Sequence, residues 1–238
     1  MNGFETIIYE KSENIGFVTL NRPGFLNVYN IKMRDELYQV LQAIKNDNEV
    51  RVVIIRGAGE KAFCAGADLT EFLTAPPPIF ARQARFERDI WGLFLSIPQP
   101  LIAALHGYVL GSGIEISLFC DIRIASEDTK FGLPEVGLGI IPAAGGTQTL
   151  PRAIGVPRSL EMLLAGRWLN AEEAHRMKMV NRVVQRSELL PVVELLAKQI
   201  KGYRTEAVTL AKQTIVRGFD LSLADGLALE SRLSRLLR

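Results

Sequence analysis

The 238 residues carry 28 Lys and Arg against 26 Asp and Glu, a net charge of +2, with 48% hydrophobic and 23% charged residues. This is a globular balance in a chain long enough to bury a full core without disulfides or metals. It leaves no strong electrostatic footprint for nucleic acid or an anionic membrane, and no run of about 18 uncharged apolar residues predicts a membrane span. Two cysteines, Cys64 and Cys120, lack metal-ligand spacing and read as buried reduced thiols. They predict a reducing, cytoplasmic setting. Residues 1–5 hold no basic segment leading into an apolar run, so no targeting peptide is expected.

In chain order, residues 6–9 and 16–20 read as paired strands. Residues 31–45 have helical periodicity, with Met33, Leu37, Val40, Leu41 and Ile44 on one face. Residues 50–56 are a β-branched run, the pattern of a buried strand. A rigid loop, Ala75-Pro76-Pro77-Pro78, leads into an amphipathic helix within 77–97 that carries Phe80, Phe86, Ile90, Trp91, Phe94 and Leu95. Pro98-Gln99-Pro100 ends it, and 101–105 is a second buried strand. Residues 114–119 read as a helix and 122–125 as a strand. The alternation predicts an α/β core over residues 1–156 with largely parallel pairing. From 157 to 238 the pattern turns helical, at 159–164, 171–177, 187–201, 205–219 and 222–237, with one strand at 180–184. The apolar face formed by Leu190, Val193, Leu195, Leu196 and Ile200 needs a surface, either the chain's own core or another subunit.

Two small-residue segments stand out, Cys64-Ala65-Gly66-Ala67-Asp68-Leu69 and His106-Gly107-Tyr108-Val109-Leu110-Gly111-Ser112-Gly113-Ile114-Glu115. A turn that opens onto a helix leaves backbone N–H groups with no helical acceptor. Two such groups aimed at one point form an oxyanion hole. The structural alternative is glycine serving only tight turns and close packing. Neither segment has dinucleotide-binding spacing or a Walker lysine, so phosphate cradling is not expected. Ser112 does not sit in the Gly-x-Ser-x-Gly order of a nucleophile elbow. His106, one of two histidines with His175, reads as a satisfied side chain at a strand end. Glu115 lies in an apolar helix, and Glu135 follows Pro134 on a loop. Alone, a carboxylate in such a helix faces water. As a pair, two nearby carboxylates do not both ionise cheaply, so one keeps a proton. The pair then offers one general acid and one general base.

Further segments join these in a fixed order: Leu20-Asn21-Arg22-Pro23 with Asn27, Lys61-Ala62-Phe63 before Cys64, Cys120-Asp121-Ile122-Arg123-Ile124-Ala125, Phe131-Gly132-Leu133-Pro134-Glu135 and Pro142-Ala143-Ala144-Gly145-Gly146-Thr147-Gln148. Together they resemble the crotonase family, the enoyl-CoA hydratase/isomerase fold, over nearly the whole chain. The resemblance implies a ββα spiral core with a helical C-terminal trimerisation region. It matches the N–H groups of Ala67 and Ser112 to an oxyanion hole for a thioester carbonyl, and Glu115 and Glu135 to the two glutamates of hydratases. It matches the Ala143 N–H to a position that helps place water, and sets Lys61, Ala65, Asp68 and Leu69 around the substrate and its CoA. Most hydratases have glycine where Ser112 stands, and some have a cation where Thr70 stands; Arg22 reads as structural. Family members usually continue past the position of Arg238 through a short helix and a basic tail.

The activity implied is reversible hydration of 2-enoyl-CoA thioesters to 3-hydroxyacyl-CoA. CoA enters as part of the substrate, with no other cofactor and no metal. The implied assembly is a homotrimer or homohexamer, with no nucleic-acid or membrane partner. Enoyl-CoA isomerases and hydratases of cyclic or dienoyl thioesters share the family, and a non-catalytic acyl-CoA binder is the remaining class. Retention of both glutamates favours hydration. The acyl-tail pocket is expected from residues 73–88.

Overall fold

The chain lays down two sheets in alternation, and the computed structural model describes residues 3–74 and 88–237 of it. The larger sheet holds β1 (Ile7–Ser12), β2 (Ile15–Leu20), β3 (Val52–Gly57), β5 (Leu101–Leu105), β7 (Ile122–Ser126) and β10 (Arg182–Val184), adjacent in that order. Its first pair is antiparallel and the others are parallel. The smaller sheet holds β4 (Ala62–Cys64), β6 (Tyr108–Leu110), β8 (Lys130–Gly132) and β9 (Leu169–Asn170), again in chain order. Each of the passes β3–β4, β5–β6 and β7–β8 therefore adds one strand to each sheet. The strands of the smaller sheet escape the sequence reading, because two or three residues are too short to show an alternating pattern.

Nine helices complete the described residues: α1 (Ile31–Asn46), α2 (Ile90–Ser96), α3 (Ser112–Leu118), α4 (Gly146–Ile154), α5 (Val156–Leu164), α6 (Ala171–Arg176), α7 (Leu189–Lys201), α8 (Thr205–Gly218) and α9 (Leu223–Ser234). Of the helix expected within 77–97, the described part is α2; Phe80, Phe86 and the proline loop lie outside the described residues. The last expected helix is shorter than its pattern: α9 ends at Ser234 and a 3-10 turn, Arg235–Leu237, follows. Among the described residues no helix is long and apolar enough to cross a membrane.

The β-branched runs are explained by burial on both faces of the larger sheet. Val53 and Ile55 face a core shared with Met33, Leu37, Leu41 and Ile44 of α1. Val52 and Ile54 face a second core with Ile102, Ala104 and Ile124, covered by Leu189, Val193 and Ala197 of α7. The inner face of α7 thus packs on the chain's own sheet, while Leu190 and Leu195 stay exposed. The residues after 157 are woven into the rest: β9 and β10 join the two sheets, and Met162, Ala174 and Met179 lie in the first core. α8 and α9 pack on each other, Lys212 of α8 reaches Gln99 O and Asp121, and Ile215, Phe219 and Leu223 are exposed on or between them.

One buried carboxylate ties α1 to the edge strand. Asn30 caps α1 by accepting from the Met33 N–H at 2.8 Å. One turn on, Glu36 is 6% exposed and accepts from Glu5 N (3.1 Å), Thr6 N (2.8 Å), Thr6 Oγ1 (2.6 Å) and Ile7 N (3.1 Å). Burial alone would raise its pKa, but these four donors favour the ionised form and hold it below the ordinary range. A depressed folded-state pKa stabilises the fold above the unfolded value and loses that contribution as pH falls through the folded one. Glu36→Gln is therefore expected to cost about 1–3 kcal/mol at pH 7 in urea denaturation. The gap to wild type should narrow as the pH is lowered past the carboxylate range.

Candidate active site

β4 and β6 are parallel neighbours, so the turns that follow them emerge at the same end of the smaller sheet. Two glycines let these turns meet. Gly111, the N-cap of α3, has φ +47°; a Cβ there would lie 2.7 Å from Glu135 Oε1 and 3.4 Å from the Gly66 Cα. A Cβ on Gly113 would lie 2.2 Å from the Cys64 carbonyl oxygen, so α3 rests directly on β4.

The N–H groups singled out in the sequence lie in this junction. Ala67 forms a parallel bridge with Tyr29, in which Tyr29 N donates to Gly66 O (2.8 Å) and Asp68 N donates to Tyr29 O (2.9 Å). In that pattern the N–H of the middle residue turns away from the partner strand. Ser112 begins α3, where an N–H has no helical acceptor. Neither N–H donates to a backbone acceptor among the described residues.

Glu115 projects from the same helix one turn on and is 2% exposed. Its Oε1 accepts from Ala144 N (2.9 Å) and Gly146 N (2.8 Å), the opening of α4. Burial pushes its pKa up to about 7; the Gly146 N–H pulls against this, the Glu135 charge adds to it, and the Ala144 N–H and the Ser112 hydroxyl pull down again. Glu135 begins a 3-10 turn, Glu135–Leu138. It is half-buried, and its Oε2 is enclosed with no hydrogen-bond partner among the described residues. Burial raises its pKa as well. The site thus holds two carboxyl groups whose pKa burial raises, and the Glu135 charge acts on Glu115.

The remaining expected residues are distributed around this centre. Ala65 N donates to Leu26 O at 3.0 Å. Lys61 is exposed just before β4, and Leu69 is exposed just after the first turn. Ala143 is exposed beside Ala144, and it is the N–H groups of Ala144 and Gly146 that hold Glu115. Asp68 does not present a free carboxylate: Oδ2 pairs with Arg22 Nη1 (2.9 Å) and Oδ1 accepts from Thr70 Oγ1 (2.7 Å). His106 is buried, with Nε2 3.1 Å from the Gly59 carbonyl, as a satisfied strand-end histidine. Sequence reasoning missed the two N–H donors on Glu115, although Gly145-Gly146 at a helix start was a signal for them. It also missed the aromatic cluster near Glu115, in which Trp91 lies 6.1 Å from Tyr29 and 5.2 Å from Phe119 between ring centroids. The Tyr29 hydroxyl is buried without a hydrogen-bond partner among the described residues.

The profile of the enoyl-CoA hydratase/isomerase family matches residues 10–236. The chain belongs to this family. It is 40% identical over 225 residues to the short-chain-enoyl-CoA hydratase of Clostridium acetobutylicum, covering 94% of this chain and 86% of the relative. It is 38% identical to the crotonyl-CoA hydratase of Syntrophomonas wolfei over 96% of this chain and 88% of that one. The crystal structure of enoyl-CoA hydratase from Bacillus anthracis superposes with a TM-score of 0.91 at 39% identity, covering 97% of this chain and 90% of the other. The α/β spiral expected from the resemblance is thus the family's fold.

The contact between α3 and β4 can be tested through stability. Gly113→Ala sets a methyl against a backbone carbonyl that cannot step aside, and is expected to cost at least about 1–3 kcal/mol in thermal denaturation. Gly137→Ala, at a position with nothing within 4 Å of the new atom, should change stability by less than about 0.5 kcal/mol.

Proposed function

We propose that this protein is a hydro-lyase that adds water reversibly to 2-enoyl-CoA thioesters. The observation that carries the reading is the pairing of two N–H groups without a backbone acceptor among the described residues, on Ala67 and Ser112, with two carboxyl groups of raised pKa at the same junction. In the reading, the thioester oxygen sits between the two N–H groups. Electron density drawn onto that oxygen leaves C3 electrophilic, and the charge that develops during attack is where such donors act most strongly. Glu115, fixed through Oε1 by two N–H groups, takes a proton from water as the water oxygen bonds to C3. Glu135 gives its proton to C2. The two glutamates exchange protonation states, so the reverse reaction uses the same groups in opposite roles.

CoA enters with the acyl group, and the reading requires no resident cofactor or metal. Lys61 is assigned to the CoA phosphates from the family resemblance, and its exposed side chain is compatible with that role. Assembly as a trimer or a dimer of trimers belongs to the same reading, supported by the exposed apolar residues of α8 and α9. Two buried, unbonded cysteines suit a reducing cytoplasm.

Glu115→Gln and Glu135→Gln are each expected to lower kcat for crotonyl-CoA by at least about 10²-fold, read as loss of the conjugated thioester absorbance. Full activity in both variants would overturn the assignment. Turnover of a 3-enoyl-CoA without water addition would favour an isomerase instead. The pH profile has a defined sign. Glu115 must be ionised to act as base, and its pKa is raised to about 7, so kcat/KM should fall as pH drops below that region.

A further inference from the structure

We propose that Arg22 and Asp68 form a positioning pair that aims the Ala67 N–H, so that Asp68 serves the oxyanion hole rather than touching the substrate. The proposal rests on the oxyanion-hole reading above and adds to it the device that sets one of its donors.

The Ala67 N–H belongs to the peptide unit whose carbonyl is Gly66 O. The two point in opposite directions in one plane. The bond from Tyr29 N to Gly66 O (2.8 Å) therefore turns the Ala67 N–H away from Tyr29. Local chain stiffness does not hold that plane, because Gly66 has φ +107°, a region only glycine enters freely. The Ala67 N–H itself has no acceptor among the described residues. Its direction depends on how firmly its neighbours are docked on the segment from Arg22 to Tyr29.

That docking is extensive. Asp68 N donates to Tyr29 O at 2.9 Å, and Ala65 N donates to Leu26 O at 3.0 Å. The wholly buried Asn27 accepts from Arg22 N (2.8 Å) and donates to Ala58 O (2.9 Å) and Ala62 O (2.8 Å). The ion pair closes the frame. Arg22 Nη1 lies 2.9 Å from Asp68 Oδ2 and donates as well to Val28 O at 2.9 Å, with the two side chains only 17% and 13% exposed. The other carboxylate oxygen is occupied by the Thr70 hydroxyl at 2.7 Å and the Thr70 N–H at 3.2 Å. With both oxygens engaged, Asp68 is built as an anchor. It stands directly after the residue whose N–H must be aimed, and its partner stands at the start of the cradle.

The test reads carbonyl polarisation directly. Cinnamoyl-CoA bound to the wild-type protein should show a red-shifted conjugated absorbance, because N–H donors on the thioester oxygen draw density from the chain. In Arg22→Met and in Asp68→Asn the shift should shrink. For crotonyl-CoA, kcat should fall about 10–100-fold, the scale on which a misplaced group loses rate, with KM changed by less than about threefold. The double variant should be no slower than the slower single variant, since both changes break one linkage. Arg22→Lys, which can keep the ion pair, should recover most of the shift; if Arg22→Met does not fold, Arg22→Lys and Asp68→Asn carry the comparison. A full shift and full kcat in Asp68→Asn would overturn the proposal, as would a raised KM at unchanged kcat, the mark of a substrate contact. The absence of any shift in the wild-type protein would overturn the oxyanion-hole reading and this proposal with it.

Discussion

The site is organised around the cost of burying Glu115. A carboxylate at 2% exposure inside an apolar helix needs donors, and it finds two of them on a segment 29–31 residues away, at the N–H groups of Ala144 and Gly146. Those groups open α4, where the helix dipole adds to their effect. The same contact therefore satisfies the carboxylate, caps α4 and holds α3 against α4. Its partners are neutral N–H groups rather than a cation, so the carboxyl keeps a pKa raised to about 7. A cation in their place would have made Glu115 a permanent anion and a poor acceptor of protons at neutral pH.

The double-sheet spiral puts α3 where this can happen. Because successive passes add neighbouring parallel strands to the smaller sheet, the turns after β4 and β6 leave at one end and lie against each other. Gly111 and Gly113 let them approach to van der Waals contact with Glu135 and with β4. The turn from Arg22 to Tyr29 supports this junction from the other side. Its buried Asn27 and the Arg22–Asp68 pair replace the backbone regularity that the first turn lacks. The junction thus combines a hydrogen-bonded scaffold with two N–H groups that have no backbone acceptor among the described residues, an arrangement that costs stability locally and is maintained by the hydrogen bonds around it.

Much of the fold was legible in the sequence. The α1 face from Met33 to Ile44 and the run Val52–Ile55 announce themselves, because burial on one face or on two leaves a repeating imprint. β4, β6, β8 and β9 left none, being two or three residues long. The same limit applied at the site. Glu115 and Glu135 were visible as carboxylates in unusual surroundings, whereas the Ala144 and Gly146 donors on Glu115 are backbone N–H groups, which every residue but proline carries. Asp68 is a further case: the resemblance set it around the substrate, and only the structure shows its two oxygens engaged by Arg22 and Thr70.

The sequence by itself determined which elements form, through periodicity, and which residues are able to do chemistry, through their functional groups. It also carried the family, because the motifs stand in a characteristic order. Tertiary structure alone decided where the backbone N–H groups point, which carboxyl group is anchored by the start of a helix, and which charged residues are already paired. The physical reason is that these properties belong to directions and burial rather than to residue types. An N–H becomes a donor for substrate only when its peptide plane is fixed and its neighbours leave it free, and a carboxyl becomes titratable near neutrality only when the fold takes it out of water.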